Sequence, residues 1–225
     1  MKTKEKQYQF LLSVKKQESL GLMSQQVWRD DPRRLVFLLS RYKFIAKMLS
    51  GLKSVLEVGC ADGFGSRIVR QEVGSLLATD FDPIFIRDAK KRPQGKWPIQ
   101  FKIHDMLKSP VHGSFQAVYS CDVLEHIHAK NEERFLKNMA KSIRKDGVCI
   151  VGTPSLESQA YASPPSLEGH VNCKTAHELK ELMKKFFENV FIFSMNDEIV
   201  HTGFYPMAHY LFALGCGVRS REKHE

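Results

Sequence analysis

Val55-Leu56-Glu57-Val58-Gly59-Cys60-Ala61-Asp62-Gly63-Phe64-Gly65 runs from an apolar strand through a carboxylate into a turn of small residues, and a helix resumes at Ser66-Arg67-Ile68-Val69. Glycine admits positive φ and lets a ligand approach the main chain with no Cβ in the way. The helix start beyond the turn offers unpaired N–H groups to a polar ligand. The stretch reads as a nucleotide-type binding turn.

The spacing of the glycines separates two kinds of nucleotide. A dinucleotide turn follows G-x-G-x-x-G and holds a pyrophosphate on the helix dipole. Here the order is Gly59-x-x-x-Gly63-x-Gly65, with Ala61 at the middle position and Glu57 two residues ahead of the first glycine. A carboxylate there suits a cationic ligand better than a pyrophosphate. The arrangement resembles motif I of the class I S-adenosylmethionine (SAM)-dependent methyltransferases, acid-x-Gly-x-Gly-x-Gly, with Ala61 as the departure.

The segments downstream keep the order of that family. Ser75-Leu76-Leu77-Ala78-Thr79 reads as a buried strand ending at Asp80, with Asp82 and Pro83 after it. A carboxylate about 20 positions past the turn is where a nucleotide fold places its ribose partner. Ile99-Gln100-Phe101-Lys102-Ile103 reads as a third strand before His104-Asp105-Met106, and Phe115-Gln116-Ala117-Val118-Tyr119-Ser120 as a fourth. Cys121-Asp122-Val123-Leu124-Glu125-His126-Ile127 resembles motif IV of small-molecule methyltransferases. A helix over 131–143 and a fifth strand, Val148-Cys149-Ile150-Val151-Gly152, follow.

Over about residues 50–215 the resemblance implies an α/β, Rossmann-like sheet of seven mostly parallel strands. Helices cover both faces, and the antiparallel last strand (Met207 onward) lies between the fifth and sixth. It implies SAM as cofactor, with S-adenosylhomocysteine as product. The implied cofactor residues are Glu57, Gly59, Cys60, Ala61, Gly63, Asp80, Phe81, Asp105, Met106 and Cys121. Among them Asp105 would accept from the adenine amino group, and Met106 would pack on the ring.

A chain of 225 residues accommodates one sizeable core. No stretch approaches the roughly 20 apolar residues of a membrane span; the longest candidate, 204–218, contains Pro206, His209 and two glycines and reads as a closing strand. The N-terminus is charged but lacks a secretory apolar run. The five cysteines (60, 121, 149, 173, 216) are odd in number and widely spaced, which fits reduced thiols of a cytoplasmic protein.

Charge is uneven: residues 1–50 carry a net +7 of the overall +9. These residues read as a helical extension, with Asp31-Pro32 as cap and first turn of a helix. The bland explanation is a solvated basic face. The sharper one is a lid over the cofactor edge that attracts an anionic substrate. The expected domain spans 51–218, with a substrate-covering insertion at about 153–175 and a tail at 219–225. A helix over 175–187, capped by Thr175, and a strand Val190-Phe191-Ile192-Phe193-Ser194 follow the insertion.

A methyl group on a sulfonium is already activated, so transfer needs chiefly a positioned nucleophile. An alcohol acceptor also needs a base, and histidine is the usual one near neutral pH. His126 beside motif IV, His170 in the insertion and His201 before the last strand are the candidates; His104, His112 and His128 read as loop or helix-start residues. No metal is expected, because strand-to-helix geometry would scatter Asp122, Glu125, His126 and His128.

The leading expectation is a SAM-dependent methyltransferase acting on an oxygen, with nitrogen second, of a small polar molecule such as a sugar or sugar nucleotide. Behind it stand an RNA or protein methyltransferase docking through the basic extension, and a non-catalytic SAM-binding subunit. Nucleic acid is the weaker partner, because the extension lacks interleaved aromatic and basic residues. Oligomeric state is open.

Overall fold

A computed structural model describes residues 2–13 and 19–219; most of the expected tail lies outside the described residues. Two helices, α1 (Leu22–Asp30) and α2 (Pro32–Met48), precede β1 (Val55–Val58), α3 (Ser66–Glu72), β2 (Leu76–Asp80), α4 (Pro83–Lys91), β3 (Gln100–Ile103) and β4 (Phe115–Cys121). Then come α5 (Ala129–Ser142), β5 (Ile143–Pro154), α6 (Pro164–Gly169), α7 (Ala176–Lys184), β6 (Phe187–Asn196), β7 (Ile199–His201) and β8 (Tyr210–Val218). The strands form one sheet in the order β3-β2-β1-β4-β5-β8-β6-β7.

The sheet is parallel from β3 through β5, and β8 runs antiparallel between β5 and β6. The strand count is eight, not seven. The extra strand, β7, lies in the polar segment after β6, where Asp197 takes φ 50° and Asn196 pairs with Ile199. Left-handed backbone at a turn suits Asp, and it closes a two-residue hairpin loop that polarity alone does not advertise. The last strand begins three residues later than expected, because Tyr205–Met207 forms a 3-10 turn, and it runs on through Gly215 and Gly217. A Cβ on Gly215 would sit 2.6 Å from the Phe187 ring, so glycine here permits a close approach and does not end the strand.

Alternation along β1 supplies the core on both faces. Leu56 and Val58 pack with Phe135, Met139 and Leu179. Val55 packs with Ile45, Leu49 and Val69 on the opposite side. Local signals set the helix starts: Asp31 accepts from the Arg33 N–H at 3.1 Å ahead of Pro32. Thr175 and Glu178 form a reciprocal capping box on α7. Among the described residues no helix is long and apolar enough to cross a membrane.

Candidate active site at the carboxyl edge of the sheet

Val58 pairs with Thr79 on one side and Ser120 on the other, so Gly59, Asp80 and Cys121 fall level at the ends of three adjacent parallel strands. Strand order reverses between β1 and β4, and open α/β sheets bind ligands in the crevice at such a switch point. Gly59, Ala61 and Gly63 take φ of 80°, 45° and 69°. This alternation curls the turn: the Gly59 and Cys60 N–H groups donate to Thr79 O at 2.8 and 3.0 Å, and Gly63 N–H to Cys60 O at 2.8 Å. Asp80 holds the turn from the side, accepting from Ala61 N–H on Oδ2 and Asp82 N–H on Oδ1, both at 2.9 Å. Burial raises its pKa, against the pull of those N–H groups.

Glu57 is buried, 1% exposed. Burial raises its pKa to about 7, partly offset by the nearby hydroxyls of Ser66, Tyr119 and Tyr42. None of those hydroxyls closes a hydrogen bond of good geometry on either carboxylate oxygen. Cys60 is buried in the core, and Cys121 Sγ lies 3.2 Å from the Tyr210 hydroxyl. Phe81 is open to solvent, and Asp105 accepts from Leu107 N–H at 2.9 Å. Met106 belongs to the interior, its carbonyl held by Asn138 Nδ2 at 2.7 Å.

Two contacts bring the N-terminal helices to this edge. Asp62, in the glycine turn, accepts from the N–H and hydroxyl of Ser24 at 2.7 and 3.2 Å, in the first turn of α1. Asp88 accepts from Leu22 N–H at 3.2 Å, and Arg92 bridges Asp88 and the Asp62 carbonyl. From α2, Arg41 reaches Asp122 with one nitrogen at 2.8 and 2.9 Å from the two carboxylate oxygens, and stacks 3.9 Å from the Tyr210 ring centroid. Asp122 takes φ 59° directly after β4, a left-handed position of the strained kind that clusters at functional sites. Sequence reading missed both contacts; the hints were the acid in each motif and the basic extension.

His126 and His170 come together, with ring centroids 5.3 Å apart. His126 is the last residue of the short 3-10 turn Leu124–His126 after β4, and its Nδ1 lies 2.9 Å from Gly169 O. His170 ends α6 in the insertion, and its Nδ1 lies 2.9 Å from Gln159 Oε1. The N–H groups of Val171 and Asn172 both donate to Glu125 O, at 2.8 and 3.1 Å, which fastens the insertion beside motif IV. Burial lowers the pKa of His170, helped by His126 beside it. Glu125, 1% exposed, accepts from Thr153 Oγ1 at 3.1 Å, and burial pushes its pKa up.

His201 stands apart. It sits on β7, four strand steps from β4, or about 19 Å at ~4.8 Å a step. Both of its ring nitrogens have local partners, Asn196 Oδ1 and Gly203 N–H. His128 stands at the start of α5.

The family model described as "Methyltransferase domain" matches residues 55–147. A probable S-adenosylmethionine-dependent methyltransferase of Mycobacterium tuberculosis is 26% identical over 103 residues, covering 46% of this chain and 36% of that protein. A similarly described protein of Mycolicibacterium smegmatis is 23% identical over 146 residues, covering 64% of this chain and 54% of that one. The match thus spans about a third to a half of the length of these curated relatives. Among solved structures, the N-methyltransferase NodS of Bradyrhizobium japonicum with S-adenosyl-L-homocysteine shares the fold, with a TM-score of 0.63 at 17% identity over 84% of this chain and 91% of that one. The glycine turn, the acid-tipped second strand and the antiparallel last strand agree with these matches: residues 55–147 match a methyltransferase domain, in a fold shared with S-adenosylmethionine-dependent methyltransferases.

Proposed function

We propose that this protein transfers the methyl group of SAM to an oxygen, with nitrogen as second choice, of a small polar acceptor such as a sugar or sugar nucleotide. The observation that carries the acceptor assignment is the His126–His170 pair, fastened beside the end of β4 next to the cofactor turn. The residues present fit the cofactor. Asp80 stands at the tip of β2, and each of its oxygens accepts one N–H and keeps a further lone pair for a ribose hydroxyl. Bound there, SAM supplies a methyl group already activated on a sulfonium. The turn and Asp80 would hold and orient it. Either histidine has its Nε2 available for the proton of the acceptor hydroxyl. Such general-base assistance contributes about 10²–10⁴-fold.

The five free cysteines fit a reducing, cytoplasmic setting. The test is a screen of sugars, sugar nucleotides and RNA that follows S-adenosylhomocysteine release. Turnover of hydroxylated small molecules, cut at least a hundredfold in His170→Ala or His126→Ala with cofactor affinity kept, supports the reading. Turnover on RNA alone, with steep salt dependence, overturns the substrate class.

A further inference from the structure

Glu125, His126 and His170 each bring one ligating atom into a cluster in which those atoms all lie within 4.8 Å of one another. From the hydrogen bonds that set their tautomers, we infer that these three side chains form a site for one divalent first-row transition-metal ion at the acceptor end of the crevice.

The tautomer of His170 follows from its neighbour. Gln159 Nε2 donates to Ser155 O at 3.1 Å and to Ser158 Oγ at 3.3 Å, so the amide oxygen must face His170. An amide oxygen only accepts; hence His170 Nδ1 carries the proton and Nε2 keeps its lone pair. Gly169 O imposes the same state on His126. Metal-binding histidines almost always donate their other N–H to a carbonyl or carboxylate in this manner. Here both do, on two segments 44 residues apart that the Glu125 carbonyl ties together.

The third ligand is a carboxylate removed from solvent, and its one side-chain hydrogen-bond partner among the described residues is the Thr153 hydroxyl. A cation would compensate its burial. Asp122 adds negative charge nearby, but Arg41 already takes it up. Lys174, Asn172 and Glu132 brace the strand of chain that carries His170, with Lys174 Nζ at 2.8 Å and Asn172 Nδ2 at 2.7 Å from the Glu132 carboxylate.

Ligands about 2.0–2.2 Å from an ion stand about 3–3.5 Å apart, so the cluster closes by an ångström or so on binding. Two imidazoles and one carboxylate favour zinc or its neighbours over magnesium or calcium, and three protein ligands leave positions open. An acceptor hydroxyl in an open position becomes more acidic and loses its proton to water. Its oxygen then attacks the methyl carbon while the carbon–sulfur bond pair leaves with sulfur. With the ion bound, the histidines serve as ligands and the base role proposed above passes to water. The inference rests on the acceptor site proposed above.

The experiment strips the protein with a chelator and titrates it with Co²⁺, followed by visible absorption, and with Zn²⁺ by calorimetry. S-adenosylhomocysteine affinity is measured in parallel. One ion per chain, bound at least tenfold more weakly by His126→Ala, His170→Ala and Gln159→Leu with S-adenosylhomocysteine affinity kept, supports the site. Gln159→Leu tests the tautomer without touching a ligand. Uptake that the His126→Ala/His170→Ala double variant retains, or none in the wild type, overturns it. Wild-type failure to bind S-adenosylhomocysteine overturns the methyltransferase assignment, and the metal titration is scored independently of it.

Discussion

Asp62 and Ser24 are joined by two hydrogen bonds, so a residue of the glycine turn caps the first turn of a helix 38 positions earlier. A carboxylate suits that end of the helix dipole. A Cβ on Gly21, the residue before α1, would lie 2.2 Å from Asp62 Cγ, so the fit also needs a glycine there. Loss of a side-chain cap costs about 1 kcal/mol. Asp62→Ala is therefore expected to lower the melting temperature by several degrees and to speed proteolysis within α1; an unchanged cleavage pattern would show that the helix is held elsewhere.

Asp80→Ala removes both the proposed ribose acceptor and the brace on Ala61 N–H. Hydrogen bonds to a charged group contribute about 1.5–3 kcal/mol, or roughly ten- to hundredfold in S-adenosylhomocysteine affinity. Calorimetry on Asp80→Ala and Asp80→Asn checks this. Unaltered affinity in both would place the ribose somewhere else.

Glu57 links the fold to pH. Its folded pKa, about 7, lies above the ordinary value near 4.5, so the folded state binds the extra proton between those limits. Stability contributed by this group is thus greatest below pH 4.5, falls as pH rises to 7, and is level beyond. A shift of this size corresponds to about 3 kcal/mol. Glu57→Gln should flatten that part of the profile and be more stable than the wild type at pH 8 in denaturant titrations. A variant that is less stable at pH 8 would mean that the carboxylate is needed in its charged form.

Gly59 has φ 80°, and an added Cβ would lie 2.2 Å from Val123 Cγ2, so the turn packs against motif IV at this point. A left-handed backbone costs a residue with a side chain about 1–2 kcal/mol before any clash. Gly59→Ala should therefore lower the melting temperature even without cofactor, and adding Val123→Ala should recover part of the loss. If the double variant melts no higher than the single one, backbone strain alone accounts for the defect.

The parts of this fold that announce themselves locally were legible in the sequence. The glycine turn, the acid at the tip of β2 and the capping pairs at Asp31-Pro32 and Thr175 each depend on neighbours a few residues away. The hairpin at Asp197 was not, because one residue in left-handed backbone leaves no periodic trace. Nor were the pairs Arg41–Asp122 and Glu125–His170, whose partners lie far apart in the chain and meet only when the sheet is complete. Met106, suggested by family position as a ring-packing side chain, is buried in the core cluster that includes Phe115, Phe135 and Met139. His201 resembled the other candidate bases in residue type alone, and strand order separates it from them.

The place of β8 bears on how the protein is made. Of the eight strands of this sheet, the last in sequence order is the one inserted between β5 and β6, and it brings Tyr210 under Arg41. Until residues 210–218 leave the ribosome, β5 and β6 are not joined, and each presents unpaired backbone of the kind that recruits other chains. The contact between residues 41 and 210 cannot form before then either, so the crevice is assembled after synthesis of the sheet is essentially over. A chain halted short of Tyr210 would hold the whole glycine turn and still present two unpaired strand edges.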